Sequence, residues 1–395
     1  MEPRTLSRRG WLFVSAVLLV LGVWMVLHWR ADEVRYERWQ RGETELVISS
    51  PPNVTLELFR AGNSLADASP VALVSEKQWL PAGNYFLKVK SGAGILYYPV
   101  PLTSSPHESD EPFVITVRPV PAEFPPKLVL HQPDYVFIPS GTFLLGDRLN
   151  PREPHAVWLT GYFVGSFEVT NEEFRTFLSA ADGYWNDSLW TVGGLRWRAT
   201  GRSQVSALLK PSDARYQRFG QPDQPVTWVN WFEANAFCRW LTKRLGAGRW
   251  WYALPTEAEW EKAARGPDSF DYGLGMTISD AEVTLYNWKK NPDAPVTVVG
   301  WKATLTAYQS NRYGLYHMSG NVAEWSQGVL VPYNRNRPYR DDERNHDETP
   351  GLRVVRGGSW YSAATSYLYI PYRDAFQPEH SSQETGFRVV VRRLP

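Results

Sequence analysis

The chain has almost no cysteine. Cys238 is the single one among 395 residues, which excludes an intramolecular disulfide, a cysteine-built metal cluster and vicinal-thiol redox chemistry. Charge of one sign is equally lacking. Its 42 basic and 41 acidic residues leave a net charge of +1, without the basic excess of a nucleic-acid-binding surface. The seven histidines stand at no paired metal-ligand spacing. Long apolar runs are missing, apart from one near the start. Aromatic surface, by contrast, is abundant: 19 Trp, 20 Tyr and 17 Phe. Wide flat side chains pin irregular backbone where regular packing is scarce. A chain of this length is expected to form two or three domains with ample surface to bury.

The one apolar run covers residues 11–27, softened only by Ser15 and Gly22. At ~1.5 Å per residue it reaches roughly 26 Å, enough for a thin hydrocarbon core, with Trp29 at its edge. It is long for a signal-peptide core, and no small-x-small cleavage site comes after it. An uncleaved single-pass anchor is therefore expected over residues 11–29. Arg4, Arg8 and Arg9 precede the run, while Arg30, Arg35, Arg38 and Arg41 lie beyond it, so basic residues do not fix the orientation. The β-rich character of the chain beyond residue 45 favours residues 1–10 as a cytoplasmic tail and an extracytoplasmic bulk. Residues 30–44, charged with scattered aromatics, suit a juxtamembrane stalk.

From residue 45 the period changes to two. Val54, Leu56 and Leu58 alternate with Thr55, Glu57 and Phe59; Tyr85, Leu87 and Val89 with Phe86, Lys88 and Lys90; Phe113, Ile115 and Val117 with Val114, Thr116 and Arg118. Turn clusters separate them, so a small antiparallel β-sandwich is expected over residues 45–118. Ser49-Ser-Pro-Pro-Asn-Val and Leu80-Pro-Ala-Gly-Asn-Tyr resemble the PEGA module of bacterial envelope proteins. Four prolines within residues 119–126 mark a semi-rigid linker, taken as 119–128. Residues 129–395 then mix short strands, loops and three helices announced by capping boxes: Thr170 with Glu173, Asn230 with Glu233, and Thr256 with Glu259. The fold class is α+β.

The centre of this large domain is Gly314-Leu-Tyr-His-Met-Ser-Gly-Asn-Val-Ala-Glu-Trp325, a stretch with neither helical nor strand period. With Arg356-Gly-Gly-Ser-Trp360 and Gly386-Phe-Arg388 it resembles the formylglycine-generating (sulfatase-modifying factor) family. Phe137-Ile-Pro-Ser-Gly-Thr-Phe143, Glu168-Val-Thr-Asn171, Pro225-Val-Thr-Trp-Val-Asn-Trp231 and Leu254-Pro-Thr-Glu-Ala-Glu-Trp260 fit the same family in order and spacing. The resemblance implies a C-type-lectin-like fold. Aerobic members bind copper through two cysteines after the Gly-Gly-Ser motif, and here those positions carry Ser362 and Tyr367. Copper(I) needs soft thiolates, which neither side chain supplies. Cys238 lies on the apolar face of a capped helix and cannot substitute. Formylglycine production is therefore not expected.

The same stretch matches a family calcium loop through His317, Gly320, Val322 and Glu324. Glu324 suits a hard cation, whereas the His317 imidazole is a poor calcium ligand. No cofactor is expected; calcium at this loop is the alternative that Glu324 keeps open. A second family calcium site would begin at Asn287, but its Asp-Gly-Phe completion is missing. Trp185-Asn-Asp187 and Gln221-Pro-Asp223 are sugar-triplet look-alikes in the wrong order, and residues 340–348 form a charged loop. Arg388 is expected to anchor the fold through a buried acid.

The expected protein is thus membrane-anchored and non-catalytic. Its groove past Trp360, Ser362, Tyr367 and Arg373 would bind a peptide, protein or glycan, or serve a structural role in the cell envelope. The alternative is a metal- or oxygen-dependent oxidoreductase with a rebuilt centre in the same groove.

Overall fold

In a computed structural model, the described residues are 8–103, 112–128, 135–147, 155–205, 210–279, 309–333 and 346–394; the side chains of residues 8–18 fall outside the description. Residues 1–7, Asn287 and residues 340–345 also lie outside it. The chain divides into two compact units. One is drawn from residues 1–49, 73–83 and 102–115, the other from 50–72, 84–101 and 116–395.

The first unit opens with α1 (Arg8–Gln40) and continues into β1 (Glu43–Ser49). The next strands along the chain are β2 (Thr55–Arg60), β3 (Ser69–Val71), β4 (Lys77–Pro81), β5 (Gly83–Ser91), β6 (Gly94–Leu102) and β7 (Phe113–Thr116). β1 sits between β4 and β7 in a three-stranded sheet. Arg38 ties the end of α1 to this sheet through Glu43 at 3.3 Å and the Trp79 ring at 5.5 Å. Leu19, Val20, Trp24, Met25, Leu27 and Trp29 of α1 are all exposed. No helix of the described residues is long and apolar enough to cross a membrane.

The second unit holds the other sheet of this region, ordered β3-β2-β5-β6. The alternation predicted for β5 is incomplete. Leu87 and Val89 are buried as expected, but Phe86, on the opposite face, is only 1% exposed. It stacks on Phe59 at 5.1 Å and carries the Arg312 guanidinium 4.4 Å from its ring centroid. Arg312 also donates to the Leu65 carbonyl at 3.0 Å and pairs with buried Asp268 at 2.9 Å. A strand covered on both faces loses its period-two signature.

The proline-rich stretch is laid against the large domain: Phe124 meets Phe163 edge-on at 5.1 Å, and Tyr252 donates to the Pro126 carbonyl at 2.7 Å. Then come β8 (Tyr135–Ile138), β9 (Gly141–Leu145), β10 (His155–Leu159) and β11 (Tyr162–Gly165). The helices α2 (Asn171–Ser179), α3 (Val192–Arg198), α4 (Ala214–Phe219) and α5 (Trp231–Leu245) precede β12 (Trp250–Ala253) and α6 (Glu257–Arg265). The chain closes with β13 (Ala323–Val329), β14 (Arg353–Arg356), β15 (Asp374–Phe376), β16 (Thr385–Gly386) and β17 (Val390–Arg393). Two four-stranded sheets, β12-β17-β11-β8 and β15-β14-β13-β16, frame the domain, and β9 and β10 form a hairpin. The three expected capping boxes are present at α2, α5 and α6. Around α5, Trp231, Phe237, Trp240 and Cys238 pack into one aromatic core. Burial pushes the Cys238 thiol far above its ordinary range, so it behaves as a small hydrophobe.

Lys262 on α6 is 1% exposed and donates to the carbonyls of Pro139 at 2.7 Å and Gly141 at 3.0 Å. Desolvation pulls its amine down to about 7. In the unfolded chain the amine titrates near ~10.4, so between those values only the unfolded state holds the proton. The charged-lysine penalty is thus full below about pH 7 and is relieved as pH rises. Thermal unfolding of the wild type should therefore gain stability relative to Lys262→Met between about pH 7 and 10. Parallel pH curves for the two proteins would refute a desolvated lysine here.

Candidate functional site

Glu324 is the second residue of β13, paired with Arg356 of β14 and, in parallel register, with Gly386 of β16. A Cβ at position 386 would lie 2.7 Å from the Val226 carbonyl oxygen, so only glycine lets β16 pass this close to the segment before α5. Two residues on, Arg388 grips Glu324 with two parallel bonds of 2.6 Å, one from Nε and one from Nη2. Trp260 of α6 adds its indole N–H at 2.8 Å. The remaining guanidinium protons reach the carbonyls of Gly165 and Tyr316, both at 3.0 Å. Burial raises the Glu324 carboxyl, and the Arg388 guanidinium opposes that shift.

The loop leading into β13 is strained. His317 and Asn321 hold φ of 59° and 63°, conformations that cost a non-glycine residue about 1 kcal/mol or more. Buried Glu168, just before α2, holds both: His317 Nδ1 stands 3.0 Å from one oxygen, and Asn321 Nδ2 donates to the other at 2.8 Å. Desolvation raises the Glu168 carboxyl, but His317 and Arg388 together leave it below its ordinary range. The Trp360 amide then donates to the Asn321 carbonyl at 2.8 Å, linking this loop to the candidate groove.

These contacts bear on calcium, the alternative that Glu324 keeps open. His317, Gly320, Val322 and Glu324 do share one loop, yet the Glu324 oxygens face a guanidinium and an indole, and His317 faces Glu168. A cation at Glu324 would have to displace Arg388, so the donor set does not fit calcium. Among the described residues, no three His, Cys, Asp or Glu side chains stand together as a metal site.

The groove residues are also redistributed. Trp360 is a core residue, 3% exposed, 6.0 Å from the Phe219 ring and beneath the Arg218 guanidinium at 5.5 Å. Arg373 does not wait for a ligand: it holds buried Glu257 through Nε at 2.6 Å and Nη2 at 2.7 Å, and covers the Tyr333 ring. The run of aromatics conceals this pairing in the sequence, because Glu257 lies 116 residues away. Ser362 is half-buried and accepts from the Ser359 amide at 2.9 Å, while Ser359 Oγ donates to Glu384 at 2.8 Å. Tyr367 is half-buried edge-on to Tyr372 at 5.0 Å. The aromatic that opens to solvent is Tyr361, 40% exposed and 5.2 Å from Trp360. Asp187 of the sugar-triplet look-alike pairs with Arg198, and Asp347 of the charged loop pairs with Arg239 at 2.6 Å.

A loop fixed by an arginine after a Gly-Phe pair, and roofed by a Gly-Gly-Ser-Trp turn, defines a formylglycine-generating-type domain. A sequence profile described as the sulfatase-modifying factor enzyme 1-like domain matches residues 120–393. The chain belongs to this family. The formylglycine-generating enzyme of Streptomyces coelicolor is 28% identical over 291 residues, covering 64% of this chain and 87% of that protein. Hercynine oxygenase of Mycolicibacterium smegmatis is 30% identical over 286 residues, covering 64% and 60%. Serine/threonine-protein kinase pkn1 of Chlamydia caviae is 28% identical over 264 residues, and there the match spans 65% of this chain but only 37% of the relative.

Proposed function

We propose that this chain is a membrane-anchored, non-catalytic member of its family that uses the surface around Tyr361, Ser362 and Tyr367 to bind a peptide, protein or glycan outside the cytoplasm. The observation that carries the reading is the chemistry at the two cysteine-equivalent positions. Ser362 is engaged by the Ser359 amide and Tyr367 packs on Tyr372, so neither offers copper a soft donor. What remains is a serine-rich turn beside an open tyrosine, with large contact area at low entropic cost. The oxidoreductase alternative draws on the hercynine oxygenase relative, but the described residues supply no cluster of metal ligands for it.

Tyr361→Ala combined with Tyr367→Ala should weaken a partner captured from solubilised envelope by roughly 2 kcal/mol while the melting temperature stays nearly constant. Stability lost in step with binding would mark these tyrosines as core and sink the binding reading.

The anchor is proposed for residues 11–29, with 30–44 as the stalk and the strands of residues 45–118 as a PEGA-like spacer. Supporting it, the described portion of α1 presents Leu19, Val20, Val23, Trp24, Met25 and Leu27 to its surroundings. A row of exposed apolar side chains on a helix is stable only against lipid or protein. Intact chain should remain in membranes after alkaline carbonate washing. Release of full-length protein into the wash would contradict the anchor.

A further inference from the structure

Buried acids of this domain keep an internal cation. Glu257 has Arg373, Glu259 has Arg392, Glu261 has Arg265, Glu324 has Arg388 and Asp268 has Arg312. Glu233 lacks one, but the Tyr184 hydroxyl at 3.0 Å, Ser203 at 2.6 Å and the Asn230 amide at 3.1 Å all donate to it. Half-buried Glu173, in the first turn of α2, is different. Its Oε2 takes the Thr170 amide at 2.8 Å and hydroxyl at 3.0 Å, closing the capping box. Its Oε1 accepts no hydrogen bond among the described residues, and no cation there pairs with it. Burial raises the Glu173 carboxyl, and the Thr170 bonds offset only part of that shift.

Glu173 lines a cavity of ≈ 40 Å³, partly open to solvent, with room for about three waters or the end of one alkyl chain. Tyr135, the first residue of β8, lines it as well. The Tyr135 ring stands edge-on to Tyr252 at 6.1 Å, while its hydroxyl makes no hydrogen bond among the described residues. Burial, followed by the charges of Tyr252 and Glu173, pushes this hydroxyl well above its ordinary range, so it keeps its proton. The rest of the wall is largely apolar. Phe237 and Leu241 come from successive turns of α5, and Phe167 from the segment between β11 and α2. Phe237 stacks on Phe174 at 5.5 Å and Phe167 on Tyr316 at 4.4 Å, which holds both rings in place. Two further charged residues line the cavity. Glu168 has both oxygens engaged, by His317 and Asn321, and Lys127 already has a partner.

We infer that this cavity receives a primary ammonium group on a short alkyl chain, held by Glu173 Oε1 and the Tyr135 hydroxyl, with its methylenes among Phe167, Phe237 and Leu241. The ammonium supplies the cation that Glu173 lacks, and its N–H protons satisfy both open acceptors. Aromatic walls favour an organic cation, which keeps apolar contact along its stem. A bare hard cation needs six or so oxygens, which Glu173 and Tyr135 do not supply. An anion would meet the Glu173 carboxylate without compensation. None of the lining residues belongs to the surface around Tyr361, so this site is independent of the binding role proposed there.

The test titrates full-length protein in detergent with butylammonium, butan-1-ol and butyrate, probes of equal chain length. Butylammonium should bind with a Kd on the order of 1 mM, as suits so small a molecule, and at least about tenfold more tightly than the other two. Glu173→Gln keeps the capping box, because glutamine serves equally at that position, yet should lower this affinity by about tenfold or more. Tyr135→Phe removes only the hydroxyl and should lower it about threefold. Both variants should melt close to the wild type, so lost affinity would not reflect lost fold. Nα-acetyl-lysine methylamide separates two sources of the same chemistry. Binding as tight as that of butylammonium assigns the cavity to a lysine side chain, and its exclusion assigns it to a free small amine; each supports an ammonium site. Equal affinity for the three probes, or butylammonium binding unchanged by Glu173→Gln, would overturn the inference. So would the absence of butylammonium binding at roughly 50 mM, which would leave water as the occupant.

Discussion

Much of this domain depends on one buried ion pair, Arg388 with Glu324. Two 2.6 Å bonds fix the guanidinium to a strand in the middle of one sheet, and its other protons hold the carbonyls of Gly165 and Tyr316. A single side chain thus joins the end of β11, the 314–325 loop and the approach to β17. Isolated in low dielectric, either charge would cost several kcal/mol, and together they add little over an apolar pair. What the pair provides is uniqueness: only one arrangement of these three segments satisfies every donor and acceptor. Glu168 has a similar role nearby, where it holds the strained backbone of His317 and Asn321.

A network of this kind changes how an acidic family loop is read. Glu324 invites a cation when seen as a motif, and the structure answers with an arginine 64 residues downstream. Similarly, Glu257 on α6 uses Arg373, and Glu261 uses Arg265 and Arg356. The scaffold is held by internal guanidiniums, which leaves the surface near Tyr361 free to diverge in chemistry without loss of fold.

The local elements of this architecture are readable in the sequence. The Thr170, Asn230 and Thr256 caps announce their helices because a capping box is complete within four residues. The apolar face of α5 is readable for the same reason. Long-range partners are not. Arg388 is expected to find a buried acid, but nothing in its neighbourhood names Glu324. Arg373 reads as a groove residue, and its pairing with Glu257 stays hidden because the two are distant in sequence. Short helices such as α3 and α4 have too few residues to show a period. Phe86 reads as outward-facing because alternation reports one covered face, and here Arg312 covers the other.

The central claim is that internal charge pairing, rather than a bound cation, fixes the 314–325 loop. Thermal unfolding of the wild type and of Arg388→Met, each with calcium and with chelator, tests it most directly. The account predicts a wild type indifferent to chelator and a variant destabilised by about 3–5 kcal/mol, as for a buried acid that has lost its partner. A wild type whose melting temperature falls by many degrees on chelation, with Arg388→Met little changed, would contradict it.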